Sequence, residues 1–234
     1  MASPQTIQPS SKDAKLYELQ PTINSGTTAN IYVSSNTSAR YRSLMSFDFS
    51  AVVPAGATIT LATLSLNCLT SAASRTITVY RLLHTDWVEN QATWNIYKTG
   101  SNWGTAGALG LLEDFTTTDA ATATSVAVGQ WLNETVTAQV QTALDYISGV
   151  AHFLIADVGG SVSGFNSYAS LQNATTTNRP KLYIEYTEPS SAPNLKINVG
   201  GTWKEIVNMS INIGGVWKVV ESAKVNVGGI WKNA

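Results

Sequence analysis

The chain has 234 residues, a formal net charge of -1, and only 12% charged residues. Its polar character comes instead from 28 Thr, 24 Ser and 17 Asn, which suit strands and turns rather than the Ala/Leu/Glu/Lys faces of a helical bundle. This balance speaks against a nucleic-acid binder, which needs a basic face, and no apolar run approaches the ~20 residues of a membrane span. The 44% hydrophobic share suffices for a packed core.

Met1-Ala2-Ser3-Pro4-Gln5 has no basic n-region and no apolar stretch behind it. No signal peptide is therefore expected, and synthesis in a cytoplasm is. Residues 1–12 read as a polar, extended arm, and residues 13–187 as the main body. Ala29 to Val33 and Arg42 to Phe49 are predicted strands, with a turn at Pro54-Ala55-Gly56-Ala57. Thr58 to Leu61 leads into the alternating Leu64, Leu66 and Cys68, and Thr76 to Arg81 alternates as well. A long loop is predicted from His84 to about Thr122, and Val126-Ala127-Val128 opens the next element. Val136, Val140, Ala143, Leu144 and Ile147 fall on one face of a helix, predicted over 135–148 with Thr135 as N-cap and Gly149 as C-terminal cap. His152 to Ala156, Phe165 to Leu171 and Leu182 to Tyr186 complete the strands. Many short strands separated by turn signals predict a mainly β fold, a jelly-roll-like sandwich with one short helix.

Residues 188–195 read as a linker punctuated by Pro189 and Pro193. The last 39 residues carry a net +3, against -4 for the rest, and they repeat. Lys196-Ile197-Asn198-Val199-Gly200-Gly201-Thr202-Trp203-Lys204 returns at 210–218 and again at 224–232, with a period of 14 residues. A β-branched run, Gly-Gly and Trp-Lys form a hairpin signal, because glycine takes the positive φ of a tight turn. A two-residue turn puts Trp203 on the face of Asn198; a three-residue turn with a bulge puts it beside Ile197 and Val199. The second is preferred, since it gathers the apolar residues on one face. A single such hairpin is marginal, so the repeats predict assembly through a homo-oligomer, with a trimer favoured by analogy. Trp203, Trp217 and Trp231 would be its anchors.

Catalytic signals are sparse. Asp86 and Glu89 lie close enough to act as a carboxylate pair, but Glu89 also suits the satisfaction of loop backbone groups. His84 lacks a nucleophile motif, and His152 opens an apolar strand as a packing residue. Cys68 sits in an apolar run as a small buried hydrophobe. No phosphate-loop or dinucleotide signature is present, so no cofactor is expected. Loop oxygens can hold a structural calcium ion, yet no spaced acidic cluster marks its ligands. Aromatic rings are more informative, because sugar rings pack their apolar faces on flat side chains while amides meet the hydroxyls. Trp87, Trp94, Tyr97 and Trp103 crowd one loop that also holds Asn90, Gln91, Asn95 and Asn102. Trp87 and Trp94 read equally as the core of that loop; Tyr97 and Trp103 are the rings expected at its surface. Tyr32, Tyr41 and Tyr168 are further candidates.

The run Arg42 to Ser50 with Pro54 to Ile59, Ala62 to Leu66, and above all Asp86-Trp87-Val88-Glu89-Asn90-Gln91-Ala92-Thr93-Trp94-Asn95 resembles the DNRLRE domain. Trp103 with Gly107, Phe165 to Ser170, and Asn178 to Leu182 continue the resemblance over about residues 13–187. It implies a β-sandwich related to carbohydrate-binding modules, with Trp87 and Trp94 in the family's signature block. The Gly-Gly-x-Trp-Lys repeats resemble those ending tail and other structural proteins of bacteriophages. Together these imply a non-enzymatic virion protein, a tail or head fibre or a capsid decoration, that binds surface glycans and other virion proteins but neither nucleic acid nor membrane interior. The alternative is a carbohydrate-active enzyme, or a detached binding module of a cell-surface protein.

Overall fold

The computed structural model describes residues 4–37, 39–72, 74–160 and 163–189, and six short strands between 196 and 233. The chain divides into two units, 1–189 and 190–234.

The strands of the first unit are β1 (Gln5–Ile7), β2 (Lys12–Tyr17), β3 (Asn30–Val33), β4 (Tyr41–Asp48), β5 (Thr58–Ser71) and β6 (Thr76–Leu82). They continue as β7 (Ile96–Lys98), β8 (Ser101–Asn102), β9 (Phe115–Thr124), β10 (Trp131–Thr135), helix α1 (Thr137–Tyr146), β11 (Val150–Asp157), β12 (Asn166–Ala169) and β13 (Lys181–Thr187). Two sheets result. One runs β1-β13-β5-β12-β3, with β10 also on β5; the other runs β2-β4-β11-β6-β9. All their pairings are antiparallel. The long β5 pairs its residues 58–65 with β13, 63–67 with β10 and 68–71 with β12.

Alternation places one face of each sheet in the main core. Leu182 and Ile184 of β13 meet Leu64 and Leu66 of β5, Met45 and Phe47 of β4, and Phe153 and Ile155 of β11 there. The single cysteine, Cys68, lies fully buried in the same core. Helix α1 adds Val140, Ala143 and Leu144. A second, smaller core forms on the outer face of the five-stranded sheet, where Ala14, Leu16, Leu44, Leu82 and Leu154 are covered by the segment between β6 and β9. This explains the apolar run Phe153 to Ala156 of β11, which is buried on both faces.

The sandwich and the one α-helix among the described residues match the sequence reading, with local differences. Thr135 is the last residue of β10, paired with Thr63, and the helix starts at Thr137 behind Val136 without a side-chain cap. Pairing with β5 decided this: Thr135 lies opposite Thr63, the Val136 amide donates to the Ala62 carbonyl (2.9 Å), and the Thr137 hydroxyl accepts from the Ala62 amide (3.0 Å). Val126 to Val128 lie outside any strand, and the element there is β10. The predicted loop holds the β7–β8 hairpin and ends seven residues early, where Phe115 enters β9 opposite Leu82. Residues 5–7 are extended and pair with β13.

The second unit holds β14 (Lys196–Val199), β15 (Thr202–Glu205), β16 (Ser210–Ile213), β17 (Val216–Val219), β18 (Lys224–Val227) and β19 (Ile230–Asn233). They form three separate two-stranded sheets. Asn198 is opposite Trp203, Asn212 opposite Trp217 and Asn226 opposite Trp231. This is the register of a two-residue connection and corrects the preferred three-residue turn. The gathering of apolar residues on one face did not decide the register: Val199 pairs with Thr202, Ile213 with Val216 and Val227 with Ile230, leaving two residues between the partners in each repeat. The Gly-Gly residues, the segment 190–195 and the side chains of the three Trp lie outside the described residues.

Candidate functional site

The segment from His84 to Asp114 is rigid for reasons readable residue by residue. Asp114 is fully buried and accepts from the amides of Gly104 (2.7 Å), Thr105 (3.1 Å) and Gly110 (2.8 Å), and it lies 2.9 Å from His84 Nε2. Gly107 has a φ of 82°, and a Cβ there would stand 2.5 Å from the Trp94 ring. Only glycine fits, because both the conformation and the space exclude a side chain. Glu89 accepts from the Asp13 amide (3.0 Å) and from Gln172 Nε2 (3.0 Å), and the Lys12 ammonium donates to the Trp87 carbonyl (2.6 Å). Glu89 thus ties the segment to β2 and to the turn after β12. Asp86 pairs instead with Lys98 at the surface. The two carboxylates serve different partners, and Glu89 is occupied by structural hydrogen bonds.

The tryptophans of this segment are core. Trp87 is 1% exposed, Trp94 5% and Trp103 4%. Trp87 Nε1 donates to Ser46 Oγ (3.2 Å) and Trp103 Nε1 to the Thr93 carbonyl (2.9 Å). The expected surface platform at Trp103 is therefore corrected, and Trp87 and Trp94 fill the second core. The physical reason is the apolar outer face of the five-stranded sheet, which needs large rings to cover it. Tyr97 is half-buried, with His84 stacked on its ring at 4.0 Å, and Asn95 is exposed beside it. Tyr168 is fully buried in the main core. His152 is also buried, with Nδ1 2.7 Å from Ser46 Oγ; burial, with Lys12 adding, depresses its pKa to about 4.

A different set of rings reaches the surface. Ser34 and Tyr41 exchange backbone hydrogen bonds, linking β3 of one sheet to β4 of the other. At that rim Tyr17 stacks on Tyr41 (4.1 Å between centroids, 8° between planes), and Tyr32 stacks on Phe165 (4.6 Å, 13°). Tyr41 joins the two pairs by edge contacts with Tyr32 (5.3 Å) and Phe165 (5.7 Å). All four rings are half-buried. The Lys15 ammonium lies 4.2 Å above Tyr32, and Arg40, paired with Glu18, stands beside the group and 5.6 Å from the Trp94 ring. Burial and the Tyr17 hydroxyl push the Tyr41 phenol up, so it remains a neutral donor and acceptor. Flat faces next to cationic and hydroxyl groups are what a sugar ring requires.

A model of carbohydrate-binding module family 96 matches residues 4–186. The chain belongs to this family. No curated protein matches the chain. The match takes in both sheets of the sandwich, from β1 into β13. The aromatic rim, the second core and the Glu89 anchor all lie within it. Tyr32 and Tyr41 were legible as candidate rings; Tyr17 and Phe165 carry no separate signal, because their neighbours come from distant parts of the chain. Among the described residues no group of three or more His, Cys, Asp or Glu is placed to hold a metal ion.

Proposed function

We propose that this protein is a non-enzymatic, glycan-binding component of a bacteriophage virion, a tail or head fibre or a capsid decoration. Its family 96 module contacts surface glycans, and its C-terminal repeats join identical chains. The observation that carries the glycan reading is the four-ring rim of Tyr17, Tyr41, Tyr32 and Phe165 with Lys15 and Arg40 at its border. The exposed Asn95 and half-buried Tyr97 extend the contact onto the β7–β8 hairpin. The occupation of Glu89 by Asp13 and Gln172 supports binding without turnover.

The virion and assembly readings rest on the tail. Three hairpins of identical register, each a separate two-stranded sheet, resemble repeats that end phage structural proteins. An isolated two-stranded hairpin is marginal, so neighbouring chains supply the missing surface, as a trimer with Trp203, Trp217 and Trp231 as anchors. Several modules on one particle raise a modest affinity by avidity.

Affinity electrophoresis in gels containing a panel of polysaccharides tests the glycan reading. Retardation of the full chain, reduced by Tyr41→Ala and Tyr32→Ala while circular dichroism shows the sandwich retained, is the expected result; retardation of both variants equal to that of the full chain refutes the rim. Release of oligosaccharides that Glu89→Gln abolishes would establish an enzyme instead. Light scattering on the full chain and on a chain ending at Pro189 tests assembly, and the same oligomeric state for both removes it. Co-purification with intact particles tests the virion assignment.

A further inference from the structure

A buried ion pair stands behind the aromatic rim. Arg75, just ahead of β6, and Asp157, the last residue of β11, form it with side chains 0% and 1% exposed. Withdrawing two charges from water is costly, and an apolar pair of the same size often serves stability as well. What this pair adds is direction, because its bonds lead into the loops that carry the rim. The Arg75 guanidinium donates through one terminal nitrogen to Asp157 Oδ2 and through the other to the carbonyls of Ser163 (2.9 Å) and Gly164 (2.7 Å). Gly164 precedes Phe165, the ring that stacks on Tyr32. The same Asp157 oxygen accepts from the Ser35 amide (3.0 Å) and hydroxyl (2.8 Å). Ser34, one residue earlier, donates its hydroxyl to the Gly164 carbonyl (2.8 Å) and exchanges backbone hydrogen bonds with Tyr41. The two ring pairs, Tyr17 with Tyr41 and Tyr32 with Phe165, are therefore tied together at one carboxylate and one carbonyl.

The loop between β11 and β12 needs such ties. Three of the six residues 159–164 are glycine, and glycine has the most backbone freedom to lose on ordering. Gly164 sits at a φ of 79°, and a Cβ there would stand 2.8 Å from the Ala72 Cβ. The sequence thus serves close approach at this point, and hydrogen bonds supply the order. Arg75 is itself fixed, since its amide donates to Ser125 Oγ (2.9 Å) and its carbonyl accepts from the Ser125 amide (2.9 Å). Asp157 Oδ1 accepts from the Gly159 amide (2.9 Å). Burial pushes the Asp157 carboxyl up, but the Gly159 amide, Arg75 and Ser35 outweigh it and hold its pKa below the ordinary carboxylate value. The charge that orients the guanidinium fork is present at neutral pH.

We propose that Arg75 and Asp157 are positioning residues of the glycan-binding rim, fixing through Ser34, Ser35 and Gly164 the loops that set the spacing of its two ring pairs. The proposal rests on the reading of the rim as the saccharide surface. Stacking on a sugar face depends on close contact, and a gap of ~0.5–1 Å forfeits about a quarter to a half of the dispersion energy. Loosening the clamp therefore weakens binding although every ring of the rim is still present.

Two variants of the full chain test it. Arg75→Lys keeps a cation for Asp157 but loses the two-nitrogen fork, and Ser34→Ala removes one hydroxyl and leaves the ion pair intact. Val140→Ala, a truncation in helix α1 outside the clamp and the rim, is the control for stability alone. Affinity electrophoresis with alginate, pectin, xylan, laminarin and galactomannan gives dissociation constants. Near-ultraviolet circular dichroism reads the part of the tyrosine signal that Tyr41→Ala removes. All chains are measured well below their melting temperatures. Both clamp variants are expected to weaken binding about fivefold or more, the size of a lost ring contact, and to shift the tyrosine signal. Val140→Ala should change neither, although its melting temperature falls. Unchanged binding in both clamp variants, with Tyr41→Ala weakened, overturns the clamp and leaves the rim standing. A loss in Val140→Ala as large as in the clamp variants overturns it as well, because binding then follows stability. A shifted signal, with binding that no variant alters, Tyr41→Ala included, refutes the rim as the saccharide surface while showing that the clamp sets the rings. If Arg75→Lys does not fold, Ser34→Ala alone decides among these outcomes.

Discussion

Asp13 offers a measurable consequence of how the module is knotted together. Its carboxylate is buried (1% exposed) on β2 and accepts from Ser10 Oγ (3.0 Å) and the Leu171 amide (2.6 Å). Burial, with the Glu89 charge adding, pushes its pKa from 3.8 to about 7 against those two hydrogen bonds. The folded carboxyl therefore keeps its proton where the unfolded one has lost it. A folded-state pKa raised in this way contributes stability that is fully present below pH 3.8 and is lost as pH rises through about 7. The loss is ~1.4 kcal/mol per pH unit, hence about 2.7 kcal/mol between pH 5 and pH 7, with little change above. Glu134, buried on β10 and pushed to about 7 by burial, has the same sign. His152 opposes both, because its depressed pKa gives stability present above 6.5 and lost as pH falls toward about 4. The wild-type pH slope mixes the three groups, so the informative quantity is a difference. Asp13→Asn keeps the shape, and its amide oxygen accepts from both Ser10 and Leu171 as the Asp13 Oδ2 does, but it carries no titrating proton. Urea denaturation of both chains at about pH 5 and about pH 8 should move the variant-minus-wild-type difference by ~2–3 kcal/mol in the variant's favour. A difference constant to within about 0.5 kcal/mol would refute the buried, protonated Asp13.

Further expectations follow from the same framework. Asp114→Ala strands three amides and the His84 ring, and at ~1–3 kcal/mol per unsatisfied buried group, partly relieved by water, it should cost about 3–5 kcal/mol; chemical denaturation measures this, and a loss below about 1 kcal/mol contradicts the anchor. Gly107→Ala should destabilise by more than about 2 kcal/mol and red-shift tryptophan emission, because it drives a methyl into Trp94. Gly100→Ala, with φ 80° but nothing within 4 Å, should cost only the backbone strain of ~1–2 kcal/mol; equal melting temperatures for the two variants would contradict the packing argument. Asp157→Ala removes the buried partner of Arg75 and should cost about 3–5 kcal/mol, whereas a near-neutral result in thermal melts would show that the cation reaches solvent.

Period-two alternation was enough to identify the sandwich, because each strand shows its own face pattern; Leu182, Ile184 and Tyr186 alternate in sequence and are buried in the structure. The helix was legible from Val140, Ala143 and Leu144, and the 14-residue repeat needed no structure at all. The hairpin register, the end of β10 and the start of α1 were not legible, since each depends on which strand supplies the hydrogen-bond partner. The fate of the aromatic residues was decided wholly in three dimensions. Trp103 looks like a surface ring in a polar loop, but that loop folds over the outer face of β2, β4 and β11, whose own alternation does not announce that a second layer will cover it. Tyr17, Tyr32, Tyr41 and Phe165 are up to 148 residues apart, and they meet only because β3 closes against β4 and the chain returns before β12. Local pattern determines which face of a strand is apolar; what lies against that face is a property of distant segments, and the candidate binding surfaces are made of those distant contacts.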